Sequence, residues 1–182
     1  VKVSAGVCSE SRISENRRLL MKDGTQVDMR RAYALPRDED IASVGPIDPQ
    51  IGLLRIDRED GRPLAVVYNF ACHPIMNPPS KGNSADFPGV ASSVIEDVLG
   101  HGALAFFVQG CGGDINPIRY KDVNQPADAE PLGNRLGLAV LRSVKEIKTA
   151  DTASRSRTTR VPRSPKRHIL RHRIWAWETE QP

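Results

Sequence analysis

The sequence IGLLRIDREDGRPLAVVYNFA, residues 51–71, contains two segments typical of β-strands with a short turn between them. The first segment runs from Ile51 to Asp57 and the second from Pro63 to Ala71. An Asp-Gly pair, Asp60-Gly61, lies between them, and such a pair between two β-rich segments indicates a hairpin. The second segment is almost continuously apolar, which is typical of a strand buried on both faces.

The segments around this hairpin extend it to an α/β pattern. Upstream, residues 1–6 alternate apolar and polar side chains and predict a strand. Downstream, residues 87–99 predict a helix, residues 103–108 another buried strand, and residues 132–148 a second helix with apolar residues at helical spacing. This order predicts an α/β fold with a mixed β-sheet layered with helices.

The connecting segments are polar or rich in proline. We interpret residues 11–24 as a loop or short helix, residues 29–49 as an exposed excursion, and residues 72–86 as a loop. Residues 152–173 have no apolar period and no glycine. We therefore predict two parts, residues 1–150 as a partial catalytic domain and residues 151–182 as a basic tail that is disordered or unrelated to the fold.

Charge is divided unevenly between these parts. The whole chain of 182 residues has a net charge of +4. Residues 1–151 have a net charge of −2, whereas residues 152–182 have a net charge of +6. The body therefore gives no reason to expect a nucleic-acid partner. The eight basic residues of the tail leave open a hypothesis of phosphate binding to nucleic acid or an anionic membrane.

The cysteines and the ends of the chain limit the class of protein further. The three cysteines, Cys8, Cys72 and Cys111, include no C-x-x-C pair and predict no disulfide framework. Cys72 and Cys111 are interpreted as small buried side chains. No segment approaches the roughly 18 apolar residues of a membrane span. The chain begins at Val1 without an initiator methionine, which we interpret as a start inside a longer protein.

Three features carry residues suited to chemistry. His73 follows the apolar segment 63–71, and the end of a strand is where α/β proteins build sites, so it is either a zinc ligand or a hydrogen-bonded core histidine. The sequence QGCGGDINP, residues 109–117, follows a predicted strand and is either an oxyanion-binding loop or a tight turn. Asp86 either caps the next helix or lies in a polar site near His73.

In combination these features resemble a known family. The series is Asn16-Arg17, IDPQ (47–50), FACHP (70–74), SADFPG (84–89) and QGCGGDINP (109–117). In order and approximate spacing it resembles the neutral/alkaline, non-lysosomal ceramidases over residues 1–150. The resemblance implies an incomplete catalytic domain that hydrolyses the amide bond of an N-acyl sphingoid base.

The resemblance also implies a cofactor and roles for individual residues. The family binds one zinc ion through two histidines, a glutamate and a tyrosine. His73 is similar to the second histidine, and the other ligands are expected outside this chain. Arg17 is similar to an arginine near the zinc that helps to polarise the scissile carbonyl. Zinc lowers the pKa of bound water and polarises carbonyls. The resemblance gives catalytic roles to Asp114 and Asn116 as well, and substrate contacts to the three residues Asp86, Gly112 and Gly113.

One position departs from the family. Characterised ceramidases have a serine, proposed as nucleophile, where this chain has Asn116. An amide side chain cannot be the attacking group, so Asn116 would instead bind a carbonyl or a water. The partner is therefore a ceramide-like lipid or another N-acyl substrate, and the alternative is a non-catalytic, lipid-binding domain. The resemblance further implies a secreted or membrane-associated protein, with no specific nucleic-acid partner. Because catalytic zinc normally needs three protein ligands, this chain alone is expected to be inactive.

Overall fold

The computed structural model describes residues 1–29, 36–76, 82–118, 128–147 and 150–151, the last two by their backbone alone. These residues form ten strands, two α-helices and a 3-10 helix at Asp38–Asp40. The strands are β1 (Lys2–Ser9), β2 (Ser14–Asn16), β3 (Arg18–Met21), β4 (Gln26–Asp28), β5 (Ile41–Val44), β6 (Gln50–Asp57), β7 (Pro63–Phe70), β8 (Leu104–Gln109), β9 (Ile115–Pro117) and β10 (Ala150–Asp151). The helices are α1 (Asp86–Leu99) and α2 (Glu130–Glu146). Within the described ranges, neither helix is long and apolar enough to cross a membrane.

The main sheet contains five strands in the order β10-β1-β6-β7-β8. The predicted hairpin is confirmed as β6 and β7, which pair antiparallel from Gly52 with Asn69 to Asp57 with Pro63. Its turn contains Gly61 at φ 84°, a left-handed conformation that favours glycine. β7 and β8 pair in parallel, and the chain between them forms α1. The sheet is therefore mixed, and the predicted α/β class is confirmed.

The two helices lie together on one face of this sheet. α1 contacts β8, and α2 contacts β1 and β6. The helices approach each other closely at Gly133, where an added Cβ would lie 2.7 Å from the carbonyl oxygen of Phe87. The Tyr68 hydroxyl donates to the carbonyl oxygen of Pro88 at 2.8 Å and so joins β7 to the first turn of α1. The core lies between the sheet and these helices.

Two small sheets show that the loop prediction for residues 11–24 was wrong. Residues 14–16 form β2, which pairs antiparallel with β9, and residues 18–21 form β3, which lies between β4 and β5. Leu19, Met21 and Met29 form a second buried cluster on this three-stranded sheet. These strands have three or four residues each, which is too short for an alternating pattern to indicate them.

Further corrections concern exposure. Residues 29–49 are not simply an exposed excursion, because Met29 is buried and residues 41–44 form β5. β8 is a strand as predicted, but Leu104, Phe106 and Val108 are about half exposed because β8 lies at the sheet edge and the helices cover one face. Cys72 is buried as predicted, whereas Cys111 is exposed. The tail was predicted for residues 151–182; Asp151 instead belongs to β10, and the rest of that prediction lies outside the described residues.

Candidate active site

The glycine-rich loop after β8 packs against the end of β7. The Gly110 amide donates to the carbonyl oxygen of Phe70 at 2.9 Å, and the Gly112 amide donates to Gly110 at 2.8 Å. A Cβ on Gly110 would lie 3.0 Å from the Ala71 nitrogen, and one on Gly112 would lie 3.2 Å from the Cys72 nitrogen. The loop can approach this closely only because both residues lack side chains.

The same hydrogen bonds determine which backbone amides remain for a ligand. The Gly112 amide is already bonded within the loop, and Gly112 is buried. Gly113 is exposed, and a Cβ there would meet no atom within 4 Å. Of the two glycines assigned to substrate binding, Gly113 is therefore the one that is open to a ligand.

His73 lies beside this loop. β7 ends at Phe70, and the chain continues past Cys72 so that the His73 amide donates to the carbonyl oxygen of Ile115 at 2.9 Å. The His73 residue is half-buried, which leaves the imidazole accessible at the edge of the cluster. Across the part of the chain that the structure describes, no group of three or more His, Cys, Asp or Glu side chains is placed to hold a metal ion. His73 is thus a single candidate ligand here.

Arg17 reaches the loop from its other side. Its amide donates to the carbonyl oxygen of Asp114 at 2.8 Å, and its own carbonyl accepts from the Met29 amide at 2.8 Å. The guanidinium Nε lies 3.1 Å from Oδ1 of Asp28, and the side chain is 18% exposed. This distance is that of an ion pair, although Nε makes no well-directed hydrogen bond to any described residue. The Arg17 charge is therefore held near the loop, with Nε free to direct its proton elsewhere.

Asp114 is fixed by Asn16, the residue before Arg17. Asn16 Nδ2 donates to Asp114 Oδ2 at 3.2 Å and to the carbonyl oxygen of Pro46 at 2.8 Å, while Asn16 Oδ1 accepts from the Arg18 amide at 2.8 Å. Gly45 permits this approach, since a Cβ there would lie 2.6 Å from Asn16 Cγ. The sequence predicted no role for Asn16, although it belongs to the Asn16-Arg17 motif. Its position next to Arg17 was the one signal of its importance.

Asn116 lies in β9, opposite Glu15 of β2. It is 6% exposed, and its Nδ2 donates to the carbonyl oxygen of Met29 at 3.5 Å. Its Oδ1 is buried and accepts no hydrogen bond from a described residue. Exchanging the two amide atoms would place Oδ1 against the Met29 carbonyl, so the contact supports the orientation described. Asn116 therefore has an unused acceptor inside the cluster.

Asp86 lies on the other side of Cys72. It is the first residue of α1, is 7% exposed, and has φ 50°, which is uncommon for a residue other than glycine. Its Oδ1 accepts from the Phe87 amide at 2.7 Å, and its amide donates to Ser84 Oγ at 3.0 Å. Burial and, secondarily, the nearby Asp86 carboxylate raise the pKa of the Cys72 thiol. Asp86 is thus close to Cys72, the neighbour of His73, in a strained conformation of the kind that functional sites often retain.

The predicted site residues therefore meet around residues 112–117. Consecutive carbonyls of the loop, those of Asp114 and Ile115, accept from the amides of Arg17 and His73, respectively. Asn116 follows in the same strand, and Gly113 precedes these carbonyls. Asp86 has no described contact with this loop, and its carboxylate contributes to the raised pKa of the Cys72 thiol.

Comparison with known proteins identifies solved structures with a similar fold. No protein-family model matches the sequence, and no curated protein is significantly similar to it. Among solved structures, neutral ceramidase from Pseudomonas aeruginosa is similar, with a TM-score of 0.51 and 23% identity. A ceramidase complexed with C2 is also similar, with a TM-score of 0.53 and 23% identity. Each comparison covers 80% of this chain and 22% of the ceramidase chain. The chain has the fold of a segment of ceramidase that spans about a fifth of that protein.

Proposed function

We propose that this chain forms part of a zinc-dependent amide hydrolase of the ceramidase type, which acts on N-acyl sphingoid bases. One observation carries the proposal: Arg17 and His73 bond to adjacent carbonyls of a single glycine-rich loop. Three motifs separated by 56 and 41 residues in sequence are thereby joined at one point. The ceramidase fold supports the same conclusion from the path of the backbone.

His73 is the residue of this chain that would hold the zinc. Its half-buried imidazole follows a strand end whose backbone is fixed by Ile115, so the ring is presented from a rigid support. A zinc ion at this position would act as a Lewis acid on the scissile carbonyl. A complete site needs about three protein ligands, and the described residues supply one. The proposal therefore requires ligands from elsewhere in the functional protein.

Arg17 and Gly113 would bind the reacting carbonyl. The Arg17 guanidinium lies beside the Asp28 carboxylate, and this cationic group could donate to an oxygen that gains negative charge during the reaction. Gly113 is exposed at the same turn. In other hydrolases one such donor contributes about 3–4 kcal/mol to the transition state.

Asp114 and Asn116 would act on the geometry of the site. The Asp114 carboxylate lies 3.8 Å from the guanidinium of Arg18 and accepts from Asn16, so it balances the cationic charge next to the loop. Asn116 Oδ1 is an acceptor and suits the N–H of an amide substrate, whereas the family serine would be a nucleophile. Asp86, at the start of α1, would hold residues 72–73 in position.

The test uses zinc content and hydrolysis of a fluorogenic N-acylsphingosine. We expect no turnover by the 182-residue chain, because its described residues hold no group of three or more side chains placed to bind a metal ion. We expect turnover when residues 1–147 replace the matching segment of Pseudomonas neutral ceramidase, with one zinc per chain. In this chimera, His73→Ala should remove the zinc and the activity. His101→Ala is the matched control, since His101 lies in an exposed turn. A folded chimera that binds zinc independently of His73 would contradict the proposal.

Asn116 also supports a second candidate, a non-catalytic, lipid-binding domain. An amide at the position of the proposed nucleophile removes one route of attack, while the buried acceptor remains suited to binding. In the chimera, Asn116→Ser distinguishes the two candidates. Turnover that appears only with serine would favour the non-catalytic domain, and turnover already present with asparagine would favour the hydrolase.

A further inference from the structure

The main sheet has one covered face and one open face. Residues 66, 68 and 70 of β7 are buried, and Tyr68 bonds to α1, so these even-numbered residues face the helices. The alternate residues of β7, with their partners in β1, β6 and β8, face the other way. We call this surface the open sheet face. Its exposed large apolar side chains are Val7, Leu104, Phe106 and Val108.

These side chains are in contact with solvent to an unusual degree. Val7, Leu104, Phe106 and Val108 are exposed by 55%, 52%, 49% and 45%, respectively. Soluble monomers rarely expose a contiguous apolar patch larger than a few hundred Å², and patches of this kind mark interaction sites. The continuous apolar run in β7 is likewise typical of a strand that is buried on both faces.

The open sheet face is also free of charge. Strand alternation and register determine which residues of each strand lie on this face. None of these residues is charged in β1 between Val3 and Ser9, in β6 up to Ile56, or in β8. The polar residues Ser9, Gln50 and Asn69 lie toward one end, and Asn69 Nδ2 already donates to the Val108 carbonyl. Two such faces can approach each other without charge repulsion, which a two-fold arrangement of identical surfaces requires.

We propose that the open sheet face is a sheet-packing interface, and that its occupant in solutions of this chain is the same face of a second copy. Two sheets packed face to face are a common way to bury apolar sheet surfaces. Four strands about 4.8 Å apart present about 500 Å² per copy. A symmetric pair then buries about 1,000 Å² in total, which is near the lower limit for a specific interface. The pair should therefore dissociate in the micromolar range. This inference does not depend on the proposed function.

Sedimentation velocity on the full chain, under reducing conditions so that exposed Cys111 cannot form disulfides, tests the proposal. We expect conversion from monomer to dimer as the concentration rises from about 1 to 100 µM. Leu104→Asp should raise the dissociation constant at least tenfold, because it places a charge at the interface. Leu138→Asp is the matched control, since Leu138 is 56% exposed on α2 and should leave dimerisation unchanged.

Three results would overturn the proposal. The first is a wild-type chain that remains monomeric at 100 µM. The second is equal dimerisation of the two Asp variants. The third is a monomer that cosediments with phosphatidylcholine vesicles through Leu104, which would identify a bilayer as the occupant. Should circular dichroism show that Leu104→Asp does not fold, Leu104→Thr is used in its place, because threonine is β-branched and suits a strand while it removes apolar surface.

Discussion

At the scale of single residues, Asn16 determines how the loop and Arg17 meet. It is 3% exposed, and both its amide nitrogen and its oxygen are hydrogen-bonded. Its neighbours differ, because Ser14 Oγ and Asn116 Oδ1 are buried without a partner among the described residues. Buried polar groups normally have partners, and the exceptions are often at functional sites. Asn16, whose side-chain amide is fully hydrogen-bonded, therefore holds in place a cluster in which Ser14 Oγ and Asn116 Oδ1 remain available.

We predict that Asn16 and Gly45 are energetically coupled. Asn16→Ala should lower the free energy of unfolding by about 2–3 kcal/mol, because it removes the hydrogen bonds of Asn16 to the Pro46 carbonyl, the Asp114 carboxylate and the Arg18 amide. Gly45→Ala should cost about 1–3 kcal/mol, because its Cβ would overlap the Asn16 side chain. In the Asn16→Ala background the same glycine substitution should cost less than about 1 kcal/mol, because the overlap is gone. Urea unfolding of the four proteins measures the coupling.

Gly113→Ala is the control for this cycle. A Cβ at Gly113 meets no atom within 4 Å, so its effect on unfolding should be within about 0.5 kcal/mol. Additive effects of the Asn16 and Gly45 substitutions would show that the two side chains do not compete for the same space.

The sequence indicated which candidate residues would lie near one another, but not their contacts. Motif order identified Arg17, His73 and Asn116, and all three lie around one loop. The contacts of Asn16 were not predictable, because its partners Pro46 and Asp114 are 30 and 98 residues away in sequence. The burial of Asn116 was not predictable from the sequence either, because it depends on the packing of β2 and Met29 against β9.

At the scale of elements, the contact between β7 and α1 depends on Tyr68. Its hydroxyl bonds to the Pro88 carbonyl and to Ser92 Oγ, each at 2.8 Å. Burial raises the pKa of Tyr68 to about 12, with the hydrogen bond to Ser92 acting in the opposite direction. Since His73 follows β7 and Asp86 begins α1, this contact also fixes the two sides of the candidate site.

We predict that this contact weakens at high pH. The pKa of Tyr68 is higher in the folded chain than in the unfolded chain, so its stabilising contribution is complete below pH 10 and is lost as the pH rises from 10 to 12. At pH 8, Tyr68→Phe should lower the free energy of unfolding by about 1–2 kcal/mol. That difference from wild type should shrink at pH 10.5 and further at pH 11. Urea unfolding at these values measures it.

Comparison of the wild type with Tyr68→Phe separates the titration of the Tyr68 hydroxyl from the titration of other groups. Burial also raises the pKa of the Cys8 and Cys72 thiols, so both proteins lose stability from these groups above about pH 9. Their shared contribution cancels in the difference between wild type and variant. A difference that stays constant from pH 8 to pH 11 would show that Tyr68 does not titrate differently on folding.

Long, regular elements were predictable and short ones were not. The hairpin and both helices have a turn signal or a sustained period, and their predicted limits lie close to the observed ones. β2, β3, β5 and β9 have three or four residues each, which is too short for a period to show. Their existence depends on pairing between distant segments, as β2 pairs with β9 about a hundred residues later. The exposure of β8 likewise depends on which face the helices cover.

At the scale of the whole molecule, apolar surface and charge lie in separate parts. The main sheet of the described residues carries both helices on a single face, and the net charge of residues 1–151 is −2. The net charge of +6 belongs to residues 152–182. The proposed apolar interface and any affinity for polyanions are therefore expected to be independent properties of this chain, since salt screening weakens only the attraction between charges.

We predict that binding of this chain to double-stranded DNA is weak, independent of base sequence and caused by the tail. Arg155→Gln with Arg157→Gln removes two cationic groups there and should lower the salt dependence, the slope of log K against log salt, by up to about 1.8. Arg142→Gln with Lys145→Gln removes the same charge from exposed positions on α2 and should leave the slope nearly unchanged. Fluorescence anisotropy between 25 and 200 mM salt measures both slopes. Equal slopes for the two double variants would assign the affinity to net charge alone, and a reduced slope only for the α2 variant would place a phosphate-binding surface on the folded body.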